Sequence, residues 1–491
     1  MDQDIPQETL DPDDWRGMRT LAHRAVDDAM DYLEQSRQRP VWRPTPPEIV
    51  ARFKAPLPRA PQGFEAAYRD YQEWVVPWQM GNTHPRFWGW YMGNGTAFGA
   101  LGEFLAATLN PNMGGGNHVA NQVEGQVVDW CKQIVGLPLS ASGLLVSGAS
   151  MANFVGLAVA RSAGAPLAVR TAGIAALPKP LRFYASTEVH SCIQKAIELL
   201  GHGSDALRRI AVDEGYCIDL AALASAIAAD RAAGFQPCAV IGSAGTINTG
   251  AVDDLARLAA LCRRENLWFH VDGAIGAVVA IAPRHGHLVQ GLEQADSVAL
   301  DLHKWLHIPF EAGCVLVRDA QAHRATFALT PEYLQHAQRG LASGAEWFSD
   351  YGLQLSRSFR ALKVWLSFKE HGLDKYGRLI DQNIMQAARL AALVRAAPGL
   401  ELMAPSGLNI VCFRYRGRGG SQQQLNALNE ELLIRLHEGG VVAPSYTTLN
   451  GNYCLRAAIV NHRTRTADLE LLIDAALTIG GALAAERQGG R

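Results

Sequence analysis

Residues 238–272 read CAVIGSAGTINTGAVDDLARLAALCRRENLWFHVD. Two short apolar runs, 238–241 and 268–271, bracket a stretch of helical spacing whose apolar stripe is Leu255, Leu258, Ala259 and Cys262. Asp253 stands just ahead of that stripe, where a carboxylate accepts amide hydrogens that the first turn of a helix leaves unpaired, and it is read as the cap. The result is a strand, helix, strand unit, the connection that parallel strands require. The alternation extends on both sides, with apolar runs at 144–146, 182–185, 297–300 and 314–317 separated by helical patterns. Residues 87–360 therefore predict an α/β domain, a mostly parallel sheet with helices on both faces.

From residue 361 the order changes. Long helical patterns flank strands expected at 400–403, 410–415 and 453–459, which predicts a smaller α+β C-terminal domain over 361–491. Residues 1–86 belong to neither. There an acidic helical pattern at 15–38 precedes Pro40, Pro44, Pro46, Pro47, Pro56, Pro58 and Pro61. Such an N-terminal helical arm buries little of its own surface and is expected to lie across the main domain or another subunit.

The 491 residues are 48% apolar and 19% charged, which excludes disorder as the main state. A net charge of −2 with no basic block offers no electrostatic footprint for nucleic acid or an anionic membrane. Eight cysteines without a C-x-x-C pair fit buried thiols in a reducing cytoplasm better than a disulfide frame or a zinc site. Residues 1–35 hold ten acids and three arginines, so no secretory leader is expected. The uncharged stretch 133–160 has the length of a membrane span, but Pro138 and its glycines and serines divide it into turn, strand and helix. A soluble cytoplasmic protein with no nucleic-acid or membrane partner is expected.

In open α/β sheets ligands bind beyond the carboxyl ends of the strands. The residues that follow the predicted strands there are Gly148, Ala149 and Ser150, then Ser186 and His190, then Ser243 and Thr246, then Asp272, then Asp301, His303 and Lys304. Small residues, an imidazole, hydroxyls, carboxylates and an amine thus converge on one edge. Lys304, flanked by Trp305 and Leu306, is either a snorkelling surface lysine or a partly desolvated amine able to attack a carbonyl cofactor. Asp272 follows an apolar run and should be buried, paired either with an arginine or with a protonated pyridine nitrogen. His190, read as lying in the first turn of a helix over 186–200, is either a core histidine or a ring placed to stack on a flat cofactor.

The turn at Ser147-Gly148-Ala149-Ser150 suits a phosphate, or is a plain strand-to-helix turn. The sequence Gly148-Ala149-Ser150-Met151-Ala152 nearly matches the nucleophile elbow of serine hydrolases, but the final glycine is missing and Lys304 stays unexplained. Gly93-Asn94-Gly95 and Gly114-Gly115-Gly116 do not complete a dinucleotide fingerprint, and no Walker lysine, H-E-x-x-H or metal-ligand spacing occurs.

These residues carry a resemblance. The chain resembles the pyridoxal-phosphate-dependent group II amino acid decarboxylases, the family of aromatic L-amino acid decarboxylase. The matches are Thr83-His84-Pro85-Arg86-Phe87, Gly148-Ala149-Ser150-Met151-Ala152-Asn153, Tyr184-Ala185-Ser186 leading to His190, Gly245-Thr246, His270-Val271-Asp272, Ala295-Asp296-Ser297, His303-Lys304-Trp305-Leu306 and Phe359-Arg360-Ala361-Leu362-Lys363-Val364-Trp365. The resemblance implies a fold type I homodimer, built on a sheet of the seven-stranded type, with active sites shared between subunits.

It further implies that Lys304 carries the internal aldimine of pyridoxal 5'-phosphate, Asp272 faces the pyridine nitrogen and His190 stacks on the ring. Ala149 and Ser150 would hold the phosphate, Thr246 would lie near the ring hydroxyl, and Ala274, Asp301 and His303 would complete the cofactor set. Tyr333, in Thr330-Pro331-Glu332-Tyr333-Leu334, matches the loop tyrosine that protonates the carbanionic carbon. Two departures stand out. Asp301 replaces an asparagine frequent near the phosphate, and an anion there repels phosphate unless it binds backbone or His303 instead. The interface loop begins Asn117-His118-Val119 rather than with serine and proline.

The implied reaction is decarboxylation of an L-amino acid to its amine. Trp90 and Tyr91, beside Phe87 and Trp88, favour an aromatic or large apolar side chain, or else serve as interface packing, and His118 joins the expected substrate set. The alternatives are an aldehyde synthase, which the tyrosine at 333 disfavours, a transaminase, and, from a different class, a non-catalytic binding protein.

Overall fold

The computed structural model describes residues 8–165, 168–329, 337–344, 347–417 and 419–489. Seven strands build the main sheet: β2 (Ser142–Val146), β3 (Leu181–Ser186), β4 (Leu207–Ile210), β5 (Gln236–Ser243), β6 (Trp268–Asp272), β7 (Ser297–Asp301) and β8 (Gly313–Val317). Their order is β2-β8-β7-β6-β5-β3-β4. Only β8 runs against its neighbours β2 and β7; the other pairings are parallel. The carboxyl ends of β2, β3, β5, β6 and β7 therefore open on the same edge.

The central strands are buried on both faces, as their uninterrupted apolar runs require. Helices Val119–Val135 and Leu255–Glu265 contribute to one core cluster with Leu145, Phe269, Val271 and Leu300. Helix Ala149–Gly164 packs with Ala299 and Val315, and with Leu181 and Phe183, in two further clusters. A buried ion pair ties the Val119–Val135 helix to the return of the chain. Arg357, 4% exposed, donates to both carboxylate oxygens of fully buried Glu124, to the Met113 carbonyl at 2.7 Å and to the Leu145 carbonyl at 2.7 Å.

The second sheet has the order β1-β11-β12-β10-β9, from β1 (Phe87–Trp88), β9 (Leu400–Leu402), β10 (Ile410–Tyr415), β11 (Ala443–Leu449) and β12 (Asn452–Ala458). Its core, with Phe413, Leu432, Leu455 and Leu472, is separate from that of the large sheet. Helix Trp15–Glu34 starts on Asp14, whose side chain accepts the Arg16 and Gly17 amides. The arm is tied to the C-terminal part of the chain through Arg37, which donates to Asp468 at 2.6 Å and to the Arg463 carbonyl at 2.8 Å.

Three local expectations need correction. Asp254, not Asp253, caps Leu255–Glu265; Asp253 turns inward and accepts the Ile218 and Ser243 amides at 2.7 and 2.8 Å. The helix expected over 186–200 begins only at Ser191, because His190 is its cap and has an extended backbone. Strands β4 and β11 were not expected. β4 is an edge strand whose two middle residues are exposed, and β11 is mostly buried but carries Pro444, Ser445, Thr447 and Thr448 in place of a continuous apolar run. Among the described residues no helix is long and apolar enough to cross a membrane.

Candidate active site

The strand ends enclose a cavity of about 240 Å³ lined by Gly148, Ala149, Ser150, Asn153, Glu188, His190, Cys192, Ser243, Thr246, Asp272, Ala274, Asp301, His303 and Lys304, among others. All nine residues assigned to the cofactor from sequence lie on this one wall. Lys304 and Asp272, the amine and the carboxylate, face the same hollow.

At the β2 end the chain turns directly into helix Ala149–Gly164, with Gly148 as its cap and therefore no capping side chain from the helix itself. The approach of β8 is so close that a Cβ on Gly313 would sit 2.5 Å from the Gly148 Cα, so only glycine is tolerated at 313. The start of this helix is a natural anion cradle of amide hydrogens and positive dipole. The Ala149 amide already donates to the Asp301 carboxylate at 2.7 Å. The other Asp301 oxygen pairs with Lys304 Nζ at 2.8 Å.

His190 caps helix Ser191–Leu199 by accepting the Cys192 amide on Nδ1 at 3.2 Å. An acceptor at Nδ1 leaves the neutral ring's hydrogen on Nε2. Desolvation against the wall lowers the imidazole pKa, partly opposed by the Asp272 charge and reinforced by Lys304. Asp272 ends β6, is 9% exposed and, among the described residues, its carboxylate accepts only the Ala274 amide, at 3.2 Å. Among the described residues no arginine or other cation forms an ion pair with it, so the salt-bridge alternative is not what the structure contains. A buried carboxylate in that position suits a ligand that brings its own positive charge.

Thr246 is held by Thr249 Oγ1 at 3.0 Å and accepts the Ala251 amide at 3.1 Å. Asp253, whose pKa burial pushes up to about 6, grips the Ser243 amide and so fixes the end of β5 beside it. His303 accepts the Ala312 amide on Nδ1 at 3.1 Å, and its Nε2 lies 3.6 Å from Asp301.

A buried hydrogen-bond chain supports the wall from behind. Trp268 Nε1 donates to Ser297 Oγ at 2.8 Å, Ser297 meets His270 Nδ1 at 2.7 Å, and His270 Nε2 meets Asn153 Oδ1 at 2.7 Å. The Asn153 amide then donates to Cys192 Sγ at 3.3 Å. Since Asn153 uses its nitrogen on sulfur, its oxygen must accept, and His270 therefore carries its hydrogen on Nε2. Burial drives the His270 pKa to about 3 and the Cys192 thiol up to about 12, so both stay neutral. Gly156 admits the ring: a Cβ there would lie 2.7 Å from His270 Cε1.

The three substrate candidates do not line this cavity within one chain. Trp90 is 54% exposed, with a left-handed backbone φ of 46° and its carbonyl accepting from Arg456 at 2.6 Å. Tyr91 is buried, donates to Asn409 Oδ1 at 3.0 Å and stands edge-on to Trp305. His118 is the backbone cap of helix Val119–Val135. Tyr333 lies outside the described residues. Conversely, Asn153, Glu188 and Cys192 line the site without having been singled out for it. Asn153 had an available signal, being one helical turn beyond Ser150 on the same helix.

The residues fit a phosphorylated pyridine aldehyde: an amine for the carbonyl carbon, an unpaired buried carboxylate for the ring nitrogen, and a small-residue helix start for the phosphate. Among the described residues no group of side chains could hold a metal ion. Comparison with known proteins agrees. The family profile described as "Pyridoxal-dependent decarboxylase conserved domain" matches residues 46–416. An aromatic-L-amino-acid decarboxylase of Bacillus atrophaeus is 34% identical over 456 residues, covering 92% of this chain and 93% of that protein. A phenylacetaldehyde synthase of Arabidopsis thaliana is 29% identical, covering 92% of this chain and 93% of its own. Among solved structures, an Oryza sativa TDC with PLP and tryptamine superposes with a TM-score of 0.88 at 25% identity, over 97% of this chain and all of that one.

Proposed function

Because this chain belongs to the pyridoxal-dependent decarboxylase family, we propose that its substrate is an aromatic or large apolar L-amino acid, released as the amine and carbon dioxide. The protein is a pyridoxal-phosphate-dependent amino acid decarboxylase of fold type I. The single observation that carries the reading of its site is that Lys304 and the unpaired carboxylate of Asp272 face one ligand-sized hollow. The aromatic preference rests on the relatives named above and on the aromatic residues at 87–91.

When bound, pyridoxal phosphate supplies an electrophilic carbon and a protonated ring that accepts the electron pair left by departing carbon dioxide. In the proposed assignment Lys304 would hold that carbon through Nζ. Asp272 holds a proton on the ring nitrogen facing it, which a buried unpaired carboxylate is suited to do. His190 presents Nε2–H to the hollow, where it orients a substrate carboxylate. Ala149 and Ser150 receive the phosphate. Tyr333 delivers the proton to the α-carbon, a step typically worth about 10²- to 10⁴-fold.

A homodimer with shared sites is part of this reading. Phe104, Leu105, Leu109, Val119, Leu341 and Leu353 are all exposed large apolar residues on one chain, which is the kind of surface a partner subunit covers. A cytoplasmic location is supported by eight free cysteines, seven of them buried.

The test is to offer each of the twenty amino acids to the purified protein and measure carbon dioxide, amine, and aldehyde with peroxide. Amine from aromatic substrates is the expected result. Aldehyde with peroxide would replace the product assignment, and carbon dioxide only from small or acidic substrates would refute the preference.

A further inference from the structure

Asp301 is a residue of the site whose charge the reaction does not use. It closes β7, is 3% exposed, and divides its two oxygens between the Ala149 amide at 2.7 Å and Lys304 Nζ at 2.8 Å. Both partners are ones a pyridoxal phosphate also claims: the amide opens the phosphate cradle, and the amine takes the carbonyl carbon. Once Lys304 is engaged there, Asp301 loses the one amine that pairs with it among the described residues.

The remaining groups facing Asp301 do not replace that charge. His303 Nε2 is 3.6 Å away, but its Nδ1 accepts the Ala312 amide and burial holds the ring neutral, so it offers a hydrogen and no charge. His190, from the start of its helix, is likewise shifted toward the neutral form. Cys192, on that helix, stays a thiol. Asp272, at the end of β6, and Glu188, which accepts from the Asn248 side-chain amide at 2.9 Å, add further anions to the wall. Lys363 acts on His303 from the Arg360–His371 helix, but its amine is paired with Glu103 at 2.6 Å.

A phosphate monoester has its second pKa near about 6 and carries close to two charges at neutral pH. Set beside an ionised carboxylate in one low-dielectric hollow, it meets like charge at contact range, and a shared proton relieves the repulsion, as in carboxylate pairs. We propose that cofactor capture by this protein is coupled to uptake of one proton, held between Asp301 and the phosphate. Asp301 is thus a positioning and charge-setting residue. The proposal rests on the reading that this cavity holds pyridoxal phosphate.

The experiment titrates pyridoxal phosphate into the full-length, cofactor-stripped chain by calorimetry at pH 8, in two buffers of different ionisation enthalpy. Because Asp301 pairs with Lys304 in the free chain and its loss would alter the amine's own proton, the titrations are made in a Lys304→Ala background as well, where protons exchanged at the ring nitrogen are common to the chains with Asp301 and with Asp301→Asn. The difference between the two chains therefore reports Asp301. The wild type should take up about one proton more per site, and between pH 7 and 9 its affinity should fall about tenfold more steeply per pH unit. Asp301→Ser, a second neutral variant, should behave as Asp301→Asn, and Asp301→Glu should keep the wild-type count. Equal counts and parallel pH profiles in the wild type and both neutral variants, with binding intact, would overturn the proposal alone. A wild-type chain that binds no pyridoxal phosphate would overturn the reading of the cavity beneath it.

Discussion

Replacing His270 by phenylalanine tests whether the wall behind the cofactor is held by hydrogen bonds or only by shape. His270 sits on β6 two residues before Asp272, and Asn153 sits one helical turn beyond Ser150, so their 2.7 Å bond joins the two ends of the proposed cofactor site. The substitution keeps an aromatic ring in the slot beside Gly156 but removes both ring nitrogens. Asn153 Oδ1 loses its donor and the Ser297 hydroxyl loses its acceptor, while Trp268 still donates to Ser297 and Asn153 to Cys192. Each buried group left unsatisfied costs about 1–3 kcal/mol, so the expected loss of stability is roughly 2–6 kcal/mol. His270→Gln, whose amide nitrogen can reach the same acceptor, should lose about half of that. Urea unfolding of both variants, with cofactor dissociation followed by absorbance, gives the two readouts. A His270→Phe protein within about 1 kcal/mol of the wild type, with unchanged cofactor retention, would refute the hydrogen-bond account.

Further outcomes follow from other residues. Glu124→Gln leaves Arg357 as an uncompensated buried charge and should destabilise by about 3–5 kcal/mol in urea unfolding, with much of the loss recovered when Arg357→Met is added. Lys304→Ala should abolish the visible absorbance that borohydride otherwise bleaches, and should slow decarboxylation by on the order of 10³-fold or more; normal turnover would remove Lys304 from its assigned role. His270 and His323, with pKa values lowered by burial to about 3 and about 4, stay neutral when folded and charge more readily when unfolded. Their contribution is complete above the unfolded value near 6.5 and is lost as pH falls, by about 1.4 kcal/mol per group per pH unit. Unfolding at pH 7 and pH 5 should therefore differ by roughly 4 kcal/mol from these two groups, and a flat profile would contradict their burial in the neutral form. Tyr333→Phe should slow amine formation by about 10²- to 10⁴-fold with substrate affinity kept, as single-turnover measurements would show.

Much of the site was readable because its chemistry is local to strand ends. A residue just past a buried parallel strand lands on the carboxyl edge whatever the rest of the chain does. Alternating apolar runs and helical stripes therefore place Ser150, His190, Thr246, Asp272 and Lys304 together on that edge. Asp253 was misread for a related reason. Two adjacent aspartates at 253 and 254 are equal candidates for a cap, and only the packing of Ile218 and Ser243 against the first of them turns it inward. Strands β4 and β11 are not legible in the sequence because an edge strand with exposed middle residues, or a strand rich in proline, serine and threonine, lacks the continuous apolar run that marks a buried one.

The amino-acid sequence alone determined the alternation of strands and helices, the edge on which the polar residues collect, and the chemical kinds of group found there, since these follow from periodicity and short-range order. The tertiary structure decided which of those groups touch. It paired Asp301 with Lys304 and with an amide 152 positions earlier, left Asp272 without a cation among the described residues, and joined His270 to Asn153 across 117 positions. It also kept Trp90, Tyr91 and His118 away from the cavity of their own chain. Contacts of that span depend on strand register and helix packing, which are collective properties of the whole core rather than of any one segment.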